Sequence, residues 1–389
     1  MKKASFAVAV LAASTSAAWA QSSVTLYGIV DAAVRYASNA NAGTSTKTVV
    51  PGGMSQSRLG VNITEDMGGG LKALANLEHR LQSDTGAVSG NPDFWRQAWV
   101  GLQSSEFGQI RLGRQYNILF DLYTSSFPSF RYSPYIEAYK PEIGLAMTAR
   151  QDNMVKYLVQ LGNVYGEIQV SAGEGATGTA AIQPAKTIGG LLRYSDGKLA
   201  AGGAYLQATE QTGKKIKATV LGASYTDGPL YVHASWGENK FDSISGLITG
   251  PTSISDATSP FRVAVSTRGA YTSGLLGANV FNTNSTDIKT RTMYMFGATY
   301  QLTPQLNIGA NAWLTKQKHY GLAIAPLGLS TTANGTSKAD FYAMVLDYAF
   351  SKRTDAYLEV DYTKTSGAVM FANGASKRGG TMVGLRHRF

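Results

Sequence analysis

Polar and apolar residues alternate along almost the whole of this chain, in short segments punctuated by turn residues, with little recurrence at the period of a helix. Successive side chains of a strand point to opposite faces, so this pattern builds strands with one apolar and one polar side. In the first, 23–37, Val24, Leu26, Gly28, Val30, Ala32, Val34 and Tyr36 share a face, opposite Thr25, Tyr27, Asp31 and Arg35. The pattern recurs at 55–66, 70–82, 93–104, 107–117, 150–161, 164–174, 186–196 and 198–210. It continues at 215–226, 229–239, 289–301, 305–317, 338–351, 355–365 and 377–389, which makes sixteen predicted strands. Each is near or above the roughly 9–11 residues that a tilted membrane-crossing strand needs. Turns such as Gly68-Gly69 and Asp227-Gly228 are tight, whereas 39–54, 118–149, 241–288 and 321–337 are long. Short turns on one rim and long loops on the other is the plan of a closed transmembrane barrel; a soluble sandwich has no reason to sort its loops. The expected fold is all-β, a 16-stranded antiparallel up-and-down barrel in one continuous domain, 21–389.

The first twenty residues have a different logic. Lys2 and Lys3 precede a short apolar core from Phe6 to Ala13, and Ala18-Trp19-Ala20 offers a small-x-small cleavage site. This is the pattern of a secretory leader, 1–20, cut between Ala20 and Gln21. Beyond it no apolar run approaches the ~20 residues of a membrane helix. The 43 Gly, 21 Tyr and only 15% charged residues nonetheless suit short alternating strands with aromatic girdles. With no Cys, an exported chain cannot be a disulfide scaffold. At the far end, Val383, Leu385, His387 and Phe389 share one face of a strand that finishes on an aromatic. They are the expected signal for barrel assembly, with Phe389 closing the last strand against the first.

Several segments resemble the Gram-negative general porin family, particularly its β-proteobacterial branch. They are Val24-Thr-Leu-Tyr-Gly-Ile-Val-Asp31, Ser57-Arg-Leu-Gly-Val61, Glu65-Asp-Met-Gly-Gly-Gly-Leu71 and Arg96-Gln-Ala-Trp-Val-Gly-Leu102. Leu112-Gly-Arg-Gln115, Pro141-Glu-Ile-Gly144 and Gly384-Leu-Arg-His-Arg-Phe389 follow in family order. The resemblance covers the mature chain and implies a homotrimeric channel of the outer membrane whose third loop, 118–149, folds into the lumen. It also implies contact with outer-membrane lipid and lipopolysaccharide, and with periplasmic chaperones and the barrel-assembly machinery during biogenesis.

No enzyme chemistry is legible. His79, His233, His319 and His387 are too scattered for a metal site, and neither a cofactor nor a metal is expected. Asp84-Thr-Gly86 and Ser195-Asp-Gly-Lys198 imitate catalytic motifs but stand alone, and both read as turns. The net charge of +10 comes with no basic helix or stacking platform, so nucleic acid is not an expected partner. The informative charges are mid-strand, opposite the apolar face, where placement toward lipid would cost about 2–4 kcal/mol. Periodicity puts Arg58, Arg80, Arg150, Asp152, Lys156 and Glu78 in the lumen; Arg96 is set there by the family match alone. Arg58, Arg80 and Arg96 lie roughly 8–10 residues from their tight turns, hence at a shared height about 20 Å from that rim.

The resemblance matches Arg58, Arg96 and Arg150 to the family's basic cluster on the constriction wall, which Arg80 and Lys156, turned inward by periodicity, extend, with Glu78 beside it. Asp121, Glu137 and Glu142 of the loop supply the opposing acids. Counting leaves the sign of the field undecided, five basic groups against five acids once Asp152 is included. Clustering of the arginines favours small anions among the hydrophilic solutes. The aromatic stretch 125–135 raises the alternative of a solute-specific channel for a sugar, dicarboxylate or phosphate.

Overall fold

The computed structural model describes residues 22–41, 44–87, 95–128, 150–173, 186–209, 215–242, 288–319, 336–367 and 375–389. The strands are β1 (Ser23–Asn41), β2 (Thr44–Val50), β3 (Arg58–Gly68), β4 (Leu71–Arg80), β5 (Trp95–Ser104) and β6 (Gly108–Tyr116). A short helix α1 (Ile118–Ser125) precedes β7 (Arg150–Leu161), β8 (Val164–Ala172), β9 (Lys186–Ser195), β10 (Leu199–Thr209) and β11 (Lys215–Asp227). The rest are β12 (Leu230–Phe241), β13 (Ile288–Gln301), β14 (Leu306–His319), β15 (Thr336–Ala349), β16 (Thr354–Ser366) and β17 (Lys377–Arg388). From β3 onward each strand pairs antiparallel with the next, and β17 returns to β1 with Ile29 opposite Arg388 and Ala37 opposite Gly380.

The ring has sixteen staves because β2 and β3 share one. β1 pairs with β3 along Ser23–Ile29 and with β2 along Ala33–Asn41. The region 39–54, expected to be a loop, therefore contains a strand. Its Thr44-Ser-Thr-Lys-Thr-Val-Val50 is rich in β-branched residues but lacks the apolar alternation that marks the other strands. Residues 51–57 break the stave and leave its plane, and 52–57 are buried.

Closure does not stop at β17. Gly28 and Phe389 exchange both backbone hydrogen bonds at 3.1 Å. The Phe389 ring lies over Gly28, where a Cβ would sit 2.3 Å from Cζ, so the first strand keeps a glycine on its apolar face for the last side chain.

Outside, Val24, Leu26, Val30, Val34, Leu192, Leu221, Met344, Leu358, Val383 and Leu385 are exposed. That is the wrong solution in water and the right one in a bilayer. Tyr157, Tyr194, Tyr225, Tyr300 and Tyr348 ring the exterior near the short turns; Tyr36, Tyr205, Tyr294, Tyr342 and Tyr362 stand farther up. These are the two interfacial girdles of such a barrel. The Gly68–Gly70 turn uses three successive positive φ values (80°, 60° and 79°), conformations that glycine adopts without steric cost.

Candidate functional site

The site is assembled on the inner faces of β3 to β7. Cross-strand register sets Arg58 opposite Arg80, with Glu78 two pairs further along β4 opposite Gly60. A register shift between Glu78 and His79 then places Arg96 between Gln97 and Trp95. On the next staves Tyr116 pairs with Arg150, after a shift between Gly113 and Gln115 where Asn153 adopts a positive φ of 51°. Such a bulge re-aims the side chains that follow it. Arg58, Arg80, Glu78, Arg96, Tyr116 and Arg150 thus form a belt across five adjacent strands.

Arg96, the residue that periodicity could not place, is the most enclosed of them, with no exposed surface. Its guanidinium is 3.0 Å from the Glu78 carboxylate, donates to Tyr116 Oη at 2.8 Å, and donates to Gln56 Oε1. Arg58 reaches the same carboxylate at 4.0 Å. Glu78 also accepts from Tyr27 Oη at 3.1 Å, and Tyr27 Oη in turn accepts from Asn76 at 2.9 Å. Arg150 lies over the Tyr116 ring at 5.0 Å, and the ring's stacking partner is Phe120 at 4.5 Å. Among the described residues, four guanidinium groups and one carboxylate stand at this level. Charges set on a wall of low dielectric focus their field into the lumen beside it.

Lys156 and Asp121 occupy other places than those expected. Asp121 does not stand across the lumen from the basic wall; it is bonded directly to Lys156. Lys156 also contacts Glu167 at 3.2 Å and donates to the Tyr116 carbonyl at 2.6 Å. Its charge is consumed in tying α1 to β7 and β8. Asp152 pairs with Arg114. Glu137, Glu142 and the Ala20–Gln21 cleavage site lie outside the described residues, as do the other loop residues 129–149.

The start of the third loop is set by Asn117, which caps α1 by accepting from the backbone N–H groups of Leu119 at 3.1 Å and Phe120 at 3.0 Å. Ile118 N donates to Gln169 Oε1 on β8 at 2.9 Å. From there 118–128 crosses the inner wall stave by stave. Ile118, Leu119, Leu122 and Phe127 are completely buried among Leu191, Ala204, Leu206, Ala218 and Val220. Room comes from small residues: a Cβ on Gly202 would lie 2.9 Å from Leu122, and one on Gly222 would lie 2.7 Å from Phe127. Ser224 donates to the Ser126 carbonyl and Tyr231 to that of Pro128 (3.1 Å), carrying the segment as far as β12.

Sequence reasoning missed Gln56, Tyr116, Glu167 and the role of Asp31. Asp31, fully buried, accepts from Gly53 N at 3.0 Å, Ser55 N at 2.7 Å and the Tyr357 hydroxyl, and so pins 51–57 inside the barrel. That segment delivers Gln56 to Arg96. The only signals for them were that Asp31 ends the first family-like segment and Tyr116 follows the Leu112–Gln115 segment.

A family model described as Gram-negative porin matches residues 7–368. Outer membrane porin protein 32 of Delftia acidovorans is 36% identical over 255 residues, 62% of this chain and 70% of that protein. An outer membrane porin protein of Bordetella pertussis is 27% identical over the full length of both chains. Among solved structures, an anion-selective porin from Comamonas acidovorans superposes with a TM-score of 0.68 at 25% identity, covering 95% of this chain and all of the other. A closed sixteen-stave barrel with a charged belt on its inner wall, matched along most of its length by that family model, makes this chain an outer-membrane member of the Gram-negative porin family.

Proposed function

We propose that the chain is a passive channel for ions and small hydrophilic solutes with a preference for anions, and that Arg58, Arg80, Arg96 and Arg150 set the preference. The carrying observation is the concentration of basic groups at one level of the inner wall, where four guanidinium groups stand beside the carboxylate of Glu78 among the described residues. Arginine keeps its charge at every physiological pH, so the field is permanent. Arg96 is buried and hydrogen-bonded, and acts as a fixed source of potential. Arg58, with 13% of its side chain exposed, and Arg80 stand nearer the permeating ion. A fixed charge ring at a narrowing filters ions by sign. The anion-selective porin that this barrel resembles supports the same reading.

The remaining acids of the loop, Glu137 and Glu142, complete the proposed constriction, with 118–149 as its loop. Of the aromatic stretch 125–135, Phe127 is buried against the wall and serves as an anchor, which weakens the case for a stacking site specific to one solute. A leader of residues 1–20 and a homotrimeric assembly, both read from the sequence and the family resemblance, belong to the proposal.

The test is the zero-current potential of the mature protein in planar bilayers under a salt gradient. The native channel should show an anion-selective potential in dilute salt. It should weaken toward 1 M, where the Debye length falls from ~10 Å at 0.1 M to ~3 Å. Arg58→Gln with Arg80→Gln keeps the Arg96–Glu78 pair and should move the potential toward cation preference. A native channel already cation-selective in dilute salt would refute the assignment.

A further inference from the structure

Between the belt and the short-turn rim, the lumen wall holds a cation that the belt does not use. Arg111 alternates with Ile110 and Leu112, which are exposed on the barrel exterior, and so points inward from β6. It lies five residues above Glu106 of the β5–β6 turn, roughly 12 Å from the rim at ordinary rise and tilt. Its guanidinium sits over Trp99 of β5, 4.3 Å from the ring centroid, and donates to Gln109 Oε1 at 3.1 Å. It forms no ion pair among the described residues. A guanidinium laid on an indole keeps its charge and is held in one orientation.

Beside Arg111 the wall is hollow. A cleft of about 370 Å³ is lined by Arg111 with Gln103, Gln109, Gln160 and Tyr165, and by Glu106 on its rim side. Register gathers these groups: Gln103 is opposite Gln109 across β5 and β6, and Gln160 opposite Tyr165 across β7 and β8. Tyr165 is held in turn by Arg193 over its ring at 5.0 Å, and by donating its hydroxyl to Glu167 at 2.6 Å. Three buried donors around Arg111 have no hydrogen-bond partner among the described residues: Trp99 Nε1, Gln109 Nε2 and Arg111 Nε. Buried polar groups are ordinarily paired, so this cluster calls for acceptor oxygens. The lining then narrows the choice. A halide uses the arginine and none of the carboxamides. Each glutamine offers a donor and an acceptor, the combination that a hydroxyl group matches. A second carboxylate on the same ligand would face Glu106.

We propose that this cleft is a binding subsite for monocarboxylate sugar acids, uronates and aldonates, with the carboxylate on Arg111 and the hydroxyl groups on Gln103, Gln109 and Gln160. It rests on the reading of the lumen as a path for small hydrophilic solutes, and adds a chemical preference that the charge of the belt does not confer.

Saturation-transfer NMR of the mature protein in detergent, titrated with D-glucuronate, tests this. The native protein should bind D-glucuronate about tenfold more tightly than acetate, which lacks the hydroxyl groups, or D-glucose, which lacks the charge. D-Glucarate, with a carboxylate at each end, should bind no more tightly than D-glucuronate. Arg111→Gln should lose about tenfold or more. Q103A/Q160A should bring the affinity for D-glucuronate down toward that for acetate and leave acetate binding unchanged. R58Q/R80Q alters the belt and should shift the reversal potential, yet keep D-glucuronate affinity within about twofold. Conductance in planar bilayers certifies that each variant is folded. Equal affinity for acetate and D-glucuronate, or native-like binding by Arg111→Gln, would overturn the proposal. So would a tenfold loss in R58Q/R80Q, which would move the binding to the belt. A native protein that conducts with anion preference but binds no D-glucuronate would sink this subsite and leave the channel reading standing, whereas a protein that does not conduct would sink both.

Discussion

Among the described residues, two clusters of arginine and carboxylate on the inside of this barrel differ in stoichiometry. At the seam where β16, β17 and β1 meet, Arg35 pairs with Asp361 at 2.9 Å, and Arg386 with Asp355 at 2.9 Å and Asp347 at 3.6 Å. Arg388 reaches Asp355 at 2.7 Å, and Arg386 also donates to Ser55 at 2.8 Å. Positive and negative groups are there in near balance, and the cluster joins the two ends of the sheet. In the belt that crosses β3 to β7, Arg58, Arg80, Arg96 and Arg150 stand to Glu78 as four to one among the described residues. Balanced charge has a short reach and acts as an adhesive; unbalanced charge projects a field into the lumen. The chemistry of a residue therefore does not distinguish a structural arginine from a functional one. Its complement of carboxylates does.

The sharpest way to break this comparison is Arg386→Ala. It strands buried Asp347 and leaves Asp355 with Arg388 as its remaining cation, and breaking a buried pair typically costs about 3–5 kcal/mol. Heat and denaturant resistance of the folded barrel should fall markedly, while the reversal potential of channels that do assemble stays native. A shifted potential with native stability would show that the seam, too, sets selectivity. Deleting Phe389 should come next. It removes the last backbone pair with Gly28 and exposes strand edge to lipid, each unsatisfied group costing several kcal/mol. Gly28→Val should reproduce part of the defect by displacing the ring, read as the yield of folded barrel. A native yield from both variants would detach the terminal aromatic from closure.

Glu78→Gln sharpens the comparison from the other side. It removes the one carboxylate of the belt and should strengthen anion preference, at a stability cost of about 1–3 kcal/mol for the lost charged hydrogen bonds. A weaker anion preference would mean that Glu78 acts mainly by holding Arg96 in place. The smallest effect is expected far from both clusters, in the tight turn after β9. Asp196 accepts from the backbone N–H groups of Lys198 at 2.9 Å and Leu199 at 2.8 Å, which holds its carboxyl below the ordinary range. A carboxyl whose folded pKa is depressed adds stability above its unfolded pKa and loses it as pH falls through the folded value. Asp196→Asn should therefore cost a little at neutral pH and nothing in strong acid, as followed by unfolding midpoints. A penalty that persists in strong acid would contradict the turn assignment.

The barrel was legible because its physics is local. Alternation decides which side of each strand meets lipid, and it placed Val24 to Tyr36 on one face without reference to any other strand. Departures occurred where long-range contacts overrule that periodicity. The strand Thr44–Val50 has no apolar alternation and exists because β1 offers it an edge. Asp152 falls beside a bulge that breaks parity in β7 and pairs with Arg114.

The face of Arg96 is left open by the pattern, since Trp99 and Val100 on the same strand are both apolar, and it is located by Glu78, Gln56 and Tyr116, from three other segments. Asp121 looked like a lumen acid because loop sequence carries no distances, and only packing brings it to Lys156. What the sequence by itself determined is the class of solution: amphipathic strands, sorted loops and charges turned away from lipid. Each of these follows from a residue and its neighbours along the chain. Which charges cancel and which are left over was decided by the tertiary structure alone. Electrostatic balance depends on separations between strands that sequence spacing does not contain.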